Sequence, residues 1–335
     1  MTNNEMKLPA DEPTQLMVKS EATTNPKYGC KPQERDLETL LKYGVINLDK
    51  VSGPTSHEVV AWLRKILDIS NTGHGGTLDP KVTGVLPCAL GKATRVLSAL
   101  LSAGKEYVGV MYLHSKVPED KIKKAFRIFS TEIYQRPPMK SSVARKLRKR
   151  NIYYTEVMEI RDRLVLFRVG CEAGTYIRKL CTDIGEVLLS GAHLEELRRT
   201  RVGTFTEETN LTTLQDVKDA FTIYRNEGDE RYLRRLIFPM EKMVEHMPKI
   251  VVRDTAVDAL CHGADLASAG VVYIDARVEK GKKIALFTLK DELIGFGIAK
   301  EKAIDIYKAK QGIVAESHKI FMKRGTYPRW DAEIK

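Results

Sequence analysis

The densest chemical signal in this chain of 335 residues is Gly73-His74-Gly75-Gly76-Thr77-Leu78-Asp79-Pro80. Its glycines let backbone and ligand approach closely, and it displays one carboxylate, Asp79, on a loop stiffened by Pro80. It is not a P-loop, because no Gly-Lys-Ser/Thr follows, nor a dinucleotide fingerprint, because leucine occupies position 78 where glycine is required. On pattern alone a Gly-rich turn ending in Asp-Pro is ordinary turn chemistry. A carboxylate acting as a nucleophile must stay ionised, and a nearby cation would keep it so. Read in isolation, Arg178 is a surface helix arginine and Tyr107 a core or sheet-face tyrosine. His57 and His74 lack a Cys or carboxylate set at ligand spacing, so no metal is expected. A second signal is KSSVARKLRKR over 140–150, where Lys140, Arg145, Lys146, Arg148, Lys149 and Arg150 occur with no acid. That density reads as a phosphate-contacting loop.

The elements that must position these residues follow from periodicity and punctuation. VINLDK after Gly44 reads as a buried strand and VSGPTS as a turn, with Ser56 capping a helix that repeats Val59, Val60, Leu63 and Leu67. After the glycine-rich loop come a helix from Ala93 to Ser102, the alternating strand KEYVGVMYL and a helix after Pro118. Strands at 152–161 and 164–171 flank the turn RDR, Thr175 opens a helix through Leu189, and HLEELRRTRVGTF reads as a strand. Helical segments between Leu214 and Met247 lead to Pro248, and VVYIDARV, KKIALFTLK and ELIGFGIAK then read as strands of a small β-barrel. The expected fold is α+β, a mixed and mostly antiparallel sheet followed by that barrel. The expected boundaries are an N-terminal tail at 1–40, a mixed-sheet domain at 41–247 and a barrel domain with a C-terminal tail at 248–335. The tail, poor in periodicity, is expected to be loose or to pack on the barrel domain.

These motifs, in this order, closely resemble the TruB and dyskerin family of RNA pseudouridine synthases. The resemblance rests on Asp49, Lys50, Gly53, Thr55 and Ser56; on residues 73–80; on Lys105-Glu106-Tyr107; on Gly174 to Arg178; and on Leu197 to Gly203. It implies that Asp79 is the nucleophile that detaches uracil from ribose, by attack on the sugar or by addition to the base. It implies that Arg178 pairs with Asp79, and that Tyr107 stacks on the target base and helps move the proton from carbon 5. A flipped uridine costs a few kcal/mol to extrude, and an aromatic platform returning about 1 to 3 kcal/mol offsets much of it. By the same carry-over Tyr176 lines the pocket, Leu197 supplies an apolar wall, His74 lies against the RNA, and Lys50 is structural support. One departure is Gly75, where Ser is common.

Around 140–150 the sequence resembles the thumb-like loop of the archaeal and eukaryotic dyskerin branch. Cys261 to Leu266 and Gly270 resemble the start of a PUA domain, and Phe321 to Trp330 its closing strand and tail. His262, Gly263 and Arg324 are the expected RNA contacts there, on the ACA trinucleotide of an H/ACA guide RNA or the acceptor end of a transfer RNA. The resemblance implies a Nop-type zinc-ribbon protein, a Gar-type β-barrel protein and a kink-turn-binding protein as partners, rRNA and tRNA as substrates, and no cofactor. Guide-independent modification of the TΨC loop and a non-catalytic RNA scaffold are the competing readings.

Composition fits. Apolar residues make 43% and charged residues 30%, the balance of a folded soluble protein, and 335 residues suffice for about two domains. Lys and Arg exceed Asp and Glu by 55 − 44 = 11, which favours a polyanionic partner. Five widely spaced cysteines carry no CxxC pair and read as reduced thiols. No apolar run reaches the roughly 18 residues of a membrane span and no signal-peptide layout opens the chain, so no membrane association and a cytoplasmic location are expected.

Overall fold

The computed structural model of the protein describes residues 6–136 and 146–329. The chain forms two compact units, one from residues 6–12 and 45–237, the other from residues 13–44 and 238–329.

In the first unit one large sheet runs in the order Gly44–Lys50, Thr83–Leu90, Ala192–Val202, Lys105–Leu113, Leu164–Cys171, Arg148–Arg161 and Glu132–Gln135. Gly44–Lys50 and Thr83–Leu90 are buried almost throughout, as their continuous apolar runs require, whereas Lys105–Leu113 alternates buried and half-buried positions. Thr83–Leu90 meets Ala192–Val202 in parallel at Gly84↔Arg199, and Lys105–Leu113 meets the other side of that strand antiparallel at Tyr107↔Arg199. Gly84 has φ +101°, and a Cβ there would lie 2.2 Å from the Arg199 carbonyl, so this crossing excludes any side chain.

Several boundaries differ from expectation for local reasons. Thr55, not Ser56, caps the helix Ser56–Ile66, since its hydroxyl accepts from Glu58 N at 3.2 Å while Glu58 accepts from Thr55 N at 2.7 Å. Ser56 is thereby released for another task. The helix expected from Ala93 to Ser102 is a 3-10 stretch, Gly91–Val96, followed by a short helix, Ser98–Ser102. Thr94 donates its hydroxyl to Gly91 O at 2.8 Å, and such local bonding with β-branched Thr94 and Val96 weakens an α-helical turn. The helix expected from Thr175 is Ile177–Val187, because Thr175 donates to Glu172 O and Tyr176 stays extended. The basic run is only partly loop: Arg148, Lys149 and Arg150 belong to strand Arg148–Arg161 and pair with Gln135, Tyr134 and Ile133.

The second unit is a seven-stranded sheet in the order Leu16–Val18, Val271–Asp275, Lys249–Val252, Lys283–Thr288, Leu293–Ala299, Ile313–Ile320 and Leu266–Ala267. It closes around Ile250, Val257, Ile274, Leu286, Ile294 and Ile306. The N-terminal segment adds an edge strand, Met17 opposite Ile274. It is further held by Lys290, whose Nζ donates to the carbonyls of Asn25, Tyr28 and Gly29, and by Arg35, bidentate on buried Glu241 at 2.9 and 2.8 Å. No helix among the described residues is long and apolar enough to cross a membrane.

Candidate active site

The loop carrying Asp79 is gripped from beneath by its backbone. Ser56 Oγ accepts from Leu78 N at 2.9 Å and donates to Leu78 O at 3.2 Å. Gly53 N donates to Pro80 O at 3.0 Å, and Gly75 N to Pro87 O at 2.8 Å. Lys50, fully buried, spends its three donors on the carbonyls of Val51, Pro80 and Val82, each at 2.9 Å. With its donors spent on backbone carbonyls, it pins the loop. What remains free is the Asp79 carboxylate, 59% exposed and ion-paired to Arg178, itself 60% exposed, on the first turn of Ile177–Val187.

Beneath this pair lies a buried cationic floor. Arg199 is 1% exposed, donates to Val85 O at 2.8 Å and Gly76 O at 3.0 Å, and stands opposite Tyr107 on the neighbouring strand. Burial pushes the Tyr107 phenol above its ordinary range and Arg199 pulls it back, so Tyr107 is a protonated hydroxyl at neutral pH. Lys105 donates to Leu100 O, Leu101 O and Ala103 O at 3.1, 3.3 and 2.7 Å; burial, with Arg199 adding repulsion, lowers its ammonium to about 8. Burial also lowers Lys50, again with Arg199 repelling and Asp79 opposing. One exposed carboxylate thus sits beside the exposed guanidinium of Arg178 and within electrostatic reach of the buried Lys50.

His74 is half-buried at the start of the loop. Burial, and then the adjacent His57, lower its imidazole to about 4, so it is neutral. Its Nδ1 accepts from Gly76 N at 3.3 Å, which leaves Nε2–H as a donor. The His57 ring meets it edge-on with centroids 5.1 Å apart. Tyr176, half-buried, caps the helix that carries Arg178. Leu197 lies opposite Gly109, two positions along the strands from the Tyr107–Arg199 pair and so on the same face. A Cβ at Gly109 would come within 3.0 Å of Leu197 Cδ1, so glycine there makes room for the leucine.

Asp79, Arg178, Tyr107, His74 and Lys50 therefore converge around one loop, with Tyr176 and Leu197 on the elements that bear Arg178 and Arg199. The chain matches the TruB family pseudouridylate synthase N-terminal model over residues 64–177, the tRNA pseudouridylate synthase B C-terminal model over 178–245, the DKCLD model over 3–60 and the PUA model over 248–321. It is 51% identical to a probable tRNA pseudouridine synthase B of Methanopyrus kandleri over 98% of this chain and 96% of that protein. The chain belongs to the TruB family. It is a pseudouridine synthase, an isomerase acting on RNA uridines. A probable tRNA pseudouridine synthase B of Methanothermobacter thermautotrophicus is 54% identical over 92% of this chain and 95% of its own length. Among solved structures, a Cbf5–Nop10–Gar1 complex matches with TM-score 0.93 and 53% identity, over 97% of this chain and 99% of the other. An H/ACA RNP bound to a substrate RNA containing 2′-deoxyuridine matches with TM-score 0.91 and 51% identity over the same shares.

The TruB fold places the remaining predicted contacts unevenly. Lys140 and Arg145 lie outside the described residues. Lys146 is exposed. Lys149 pairs with Glu132 at 2.8 Å and lies over the Tyr134 ring, and Arg150 pairs with Glu172 at 3.5 Å beneath Gly174. These last two serve the sheet and the loop before Tyr176 as much as any ligand. In the second unit His262 and Gly263 end the helix Asp254–Cys261, and Arg324 Nε donates to Cys261 O at 3.4 Å, so all three cluster at one helix end. Arg199 and Gln135 received no role from the sequence, and Ser56 only that of a helix cap. Arg199 stands inside the Leu-Arg-Arg-x-Arg motif, a visible signal; Gln135 carried none.

Proposed function

We propose that this pseudouridine synthase modifies ribosomal RNA at uridines chosen by an H/ACA guide RNA, with Asp79 as nucleophile, Arg178 as its ionic partner and Tyr107 as the base platform. The observation that carries the site assignment is the Asp79–Arg178 pair, open to solvent above the buried Tyr107–Arg199 floor. The reaction exchanges the C1′–N1 bond for C1′–C5, with the carbon 5 proton lost to solvent and N1 taking up one in its place. Asp79 supplies the nucleophile for the first bond, on the sugar or on the base. Tyr107, protonated, stacks beneath the ring, while Leu197 and Tyr176 exclude water and His74 Nε2–H contacts the RNA. Lys140, Arg145, Lys146, Arg148, Lys149 and Arg150 offer charge to phosphates. The PUA unit, with His262, Gly263 and Arg324, grips the guide RNA, and the N-terminal segment serves that unit.

Guide dependence is supported by the near-complete match to the Cbf5–Nop10–Gar1 complex and to the substrate-bound H/ACA RNP. The partners on this reading are a Nop-type zinc-ribbon protein, a Gar-type β-barrel protein and a kink-turn-binding protein, in the cytoplasm. A second activity, on the TΨC-loop uridine of tRNA, is favoured by relatives called probable tRNA pseudouridine synthase B at 51 and 54% identity. Tritium release from 5-tritiated uridine separates the two. Release from a tRNA transcript by the lone chain supports the tRNA activity, and release from an rRNA fragment only with guide RNA and partner proteins supports guidance. Equal release from rRNA with and without the guide would sink the guided reading.

A further inference from the structure

We propose that Gln135 is a positioning residue for the isomerisation, setting Arg178 against Asp79 through both peptide groups of Tyr176. The proposal rests on the role given above to Arg178.

Gln135 ends the strand Glu132–Gln135 and is 2% exposed. A buried amide is costly unless its polar atoms are matched. Here both are matched by one distant residue: Oε1 accepts from Tyr176 N at 2.9 Å, and Nε2 donates to Tyr176 O at 3.1 Å. Tyr176 is the N-cap of Ile177–Val187, and its carbonyl also accepts from Leu180 N at 3.0 Å, the opening bond of the helix. Arg178 is the second residue of that helix. A tilt at Tyr176 is therefore passed rigidly to Arg178. On the other side the loop is held by Arg150, which pairs with Glu172 and lies 3.1 Å from where a Gly174 Cβ would be.

Such anchoring is needed because the pair itself is weak. An ion pair more than half exposed on both sides gains little and does not by itself hold a long arginine in one geometry. The opposite member shows the same solution: Ser56, fully buried, takes both peptide groups of Leu78, the residue before Asp79. Nucleophile and counter-ion are each fixed through a clamp on the backbone just ahead of them.

The test is single-turnover tritium release by the full chain, alone or assembled with guide RNA and partner proteins, for Gln135→Ala, Gln135→Glu, Arg178→Lys and the double variant Gln135→Ala with Arg178→Lys. Gln135→Glu keeps the acceptor for Tyr176 N–H but sets an oxygen against Tyr176 O. Both Gln135 variants should lose about 10- to 100-fold in rate while RNA affinity stays within about twofold. In the Arg178→Lys background, Gln135→Ala should add less than about twofold, because both changes remove one interaction. Multiplying losses, a loss of RNA affinity in place of rate, or a wild-type rate in Gln135→Ala would overturn the proposal. If Gln135→Ala does not fold, Gln135→Glu is judged by the same criteria, in both backgrounds. A wild-type rate in Arg178→Lys would overturn the role of Arg178 and this proposal together, whereas a wild-type rate in Gln135→Ala alone removes only the latter.

Discussion

Arg199 and Tyr107 are buried cross-strand partners, and the Arg199 guanidinium donates to the carbonyls of Val85 and Gly76. The strand bearing Tyr107 and the glycine-rich loop thus meet at a single buried cation. Arg199→Met removes that cation and takes the side-chain donor from the Val85 and Gly76 carbonyls, so the unfolding free energy should fall by about 2 to 5 kcal/mol, read from urea midpoints. An unchanged midpoint would show that Arg199 is not the support described.

Asp79 and Arg178 should behave oppositely, as an exposed pair that matters to chemistry and little to folding. Asp79→Asn should change stability by less than about 1 kcal/mol. Tritium release should vanish while RNA binding, measured by filter retention, persists. A variant that still releases tritium would end the assignment of Asp79 as nucleophile and return weight to a scaffold.

The acid limb of stability should report His74. Its folded imidazole titrates at about 4, below the ordinary 6.5, so between those values the unfolded chain binds a proton that the folded one refuses. Its contribution is complete above pH 6.5 and is lost as pH falls toward 4. His74→Gln should flatten the fall in urea midpoint over that window; an equally steep fall in both proteins would refute the link.

Two glycines with positive φ make a matched comparison. Gly84→Ala meets the Arg199 carbonyl at 2.2 Å and should abolish folding or cost more than about 3 kcal/mol. Gly228→Ala, at φ +73° in open space on a helix end, should cost only about 1 kcal/mol. Similar thermal shifts for both would contradict the close strand crossing.

Lys290→Ala should free the backbone carbonyls of Asn25, Tyr28 and Gly29. Hydrogen exchange over residues 25–29 should then speed up while the barrel strand Lys283–Thr288 keeps its protection. Unchanged exchange at 25–29 would mean that Lys290 does not hold this segment.

The candidate residues for the chemistry could be read in the sequence because their identities and order carry the signal. Asp79, Tyr107 and Arg178 stand in short motifs that survive without coordinates, and the strands around them alternate or run apolar as sheet burial demands. The tail was only half legible, since a three-residue edge strand such as Leu16–Val18 has too few positions to show a period, and only pairing to Val271–Asp275 defines it. Helix ends moved where a side chain chose a distant partner over a local cap, as Ser56 did for Leu78. The sequence by itself determined which groups are candidates for the chemistry, because candidacy rests on residue type and on motifs one strand or turn long. Only tertiary structure decided what holds them in place. Gln135 lies 41 residues from Tyr176 and Arg199 lies 123 from Gly76, and such bonds arise when a buried polar group must find its match wherever the packed chain brings one.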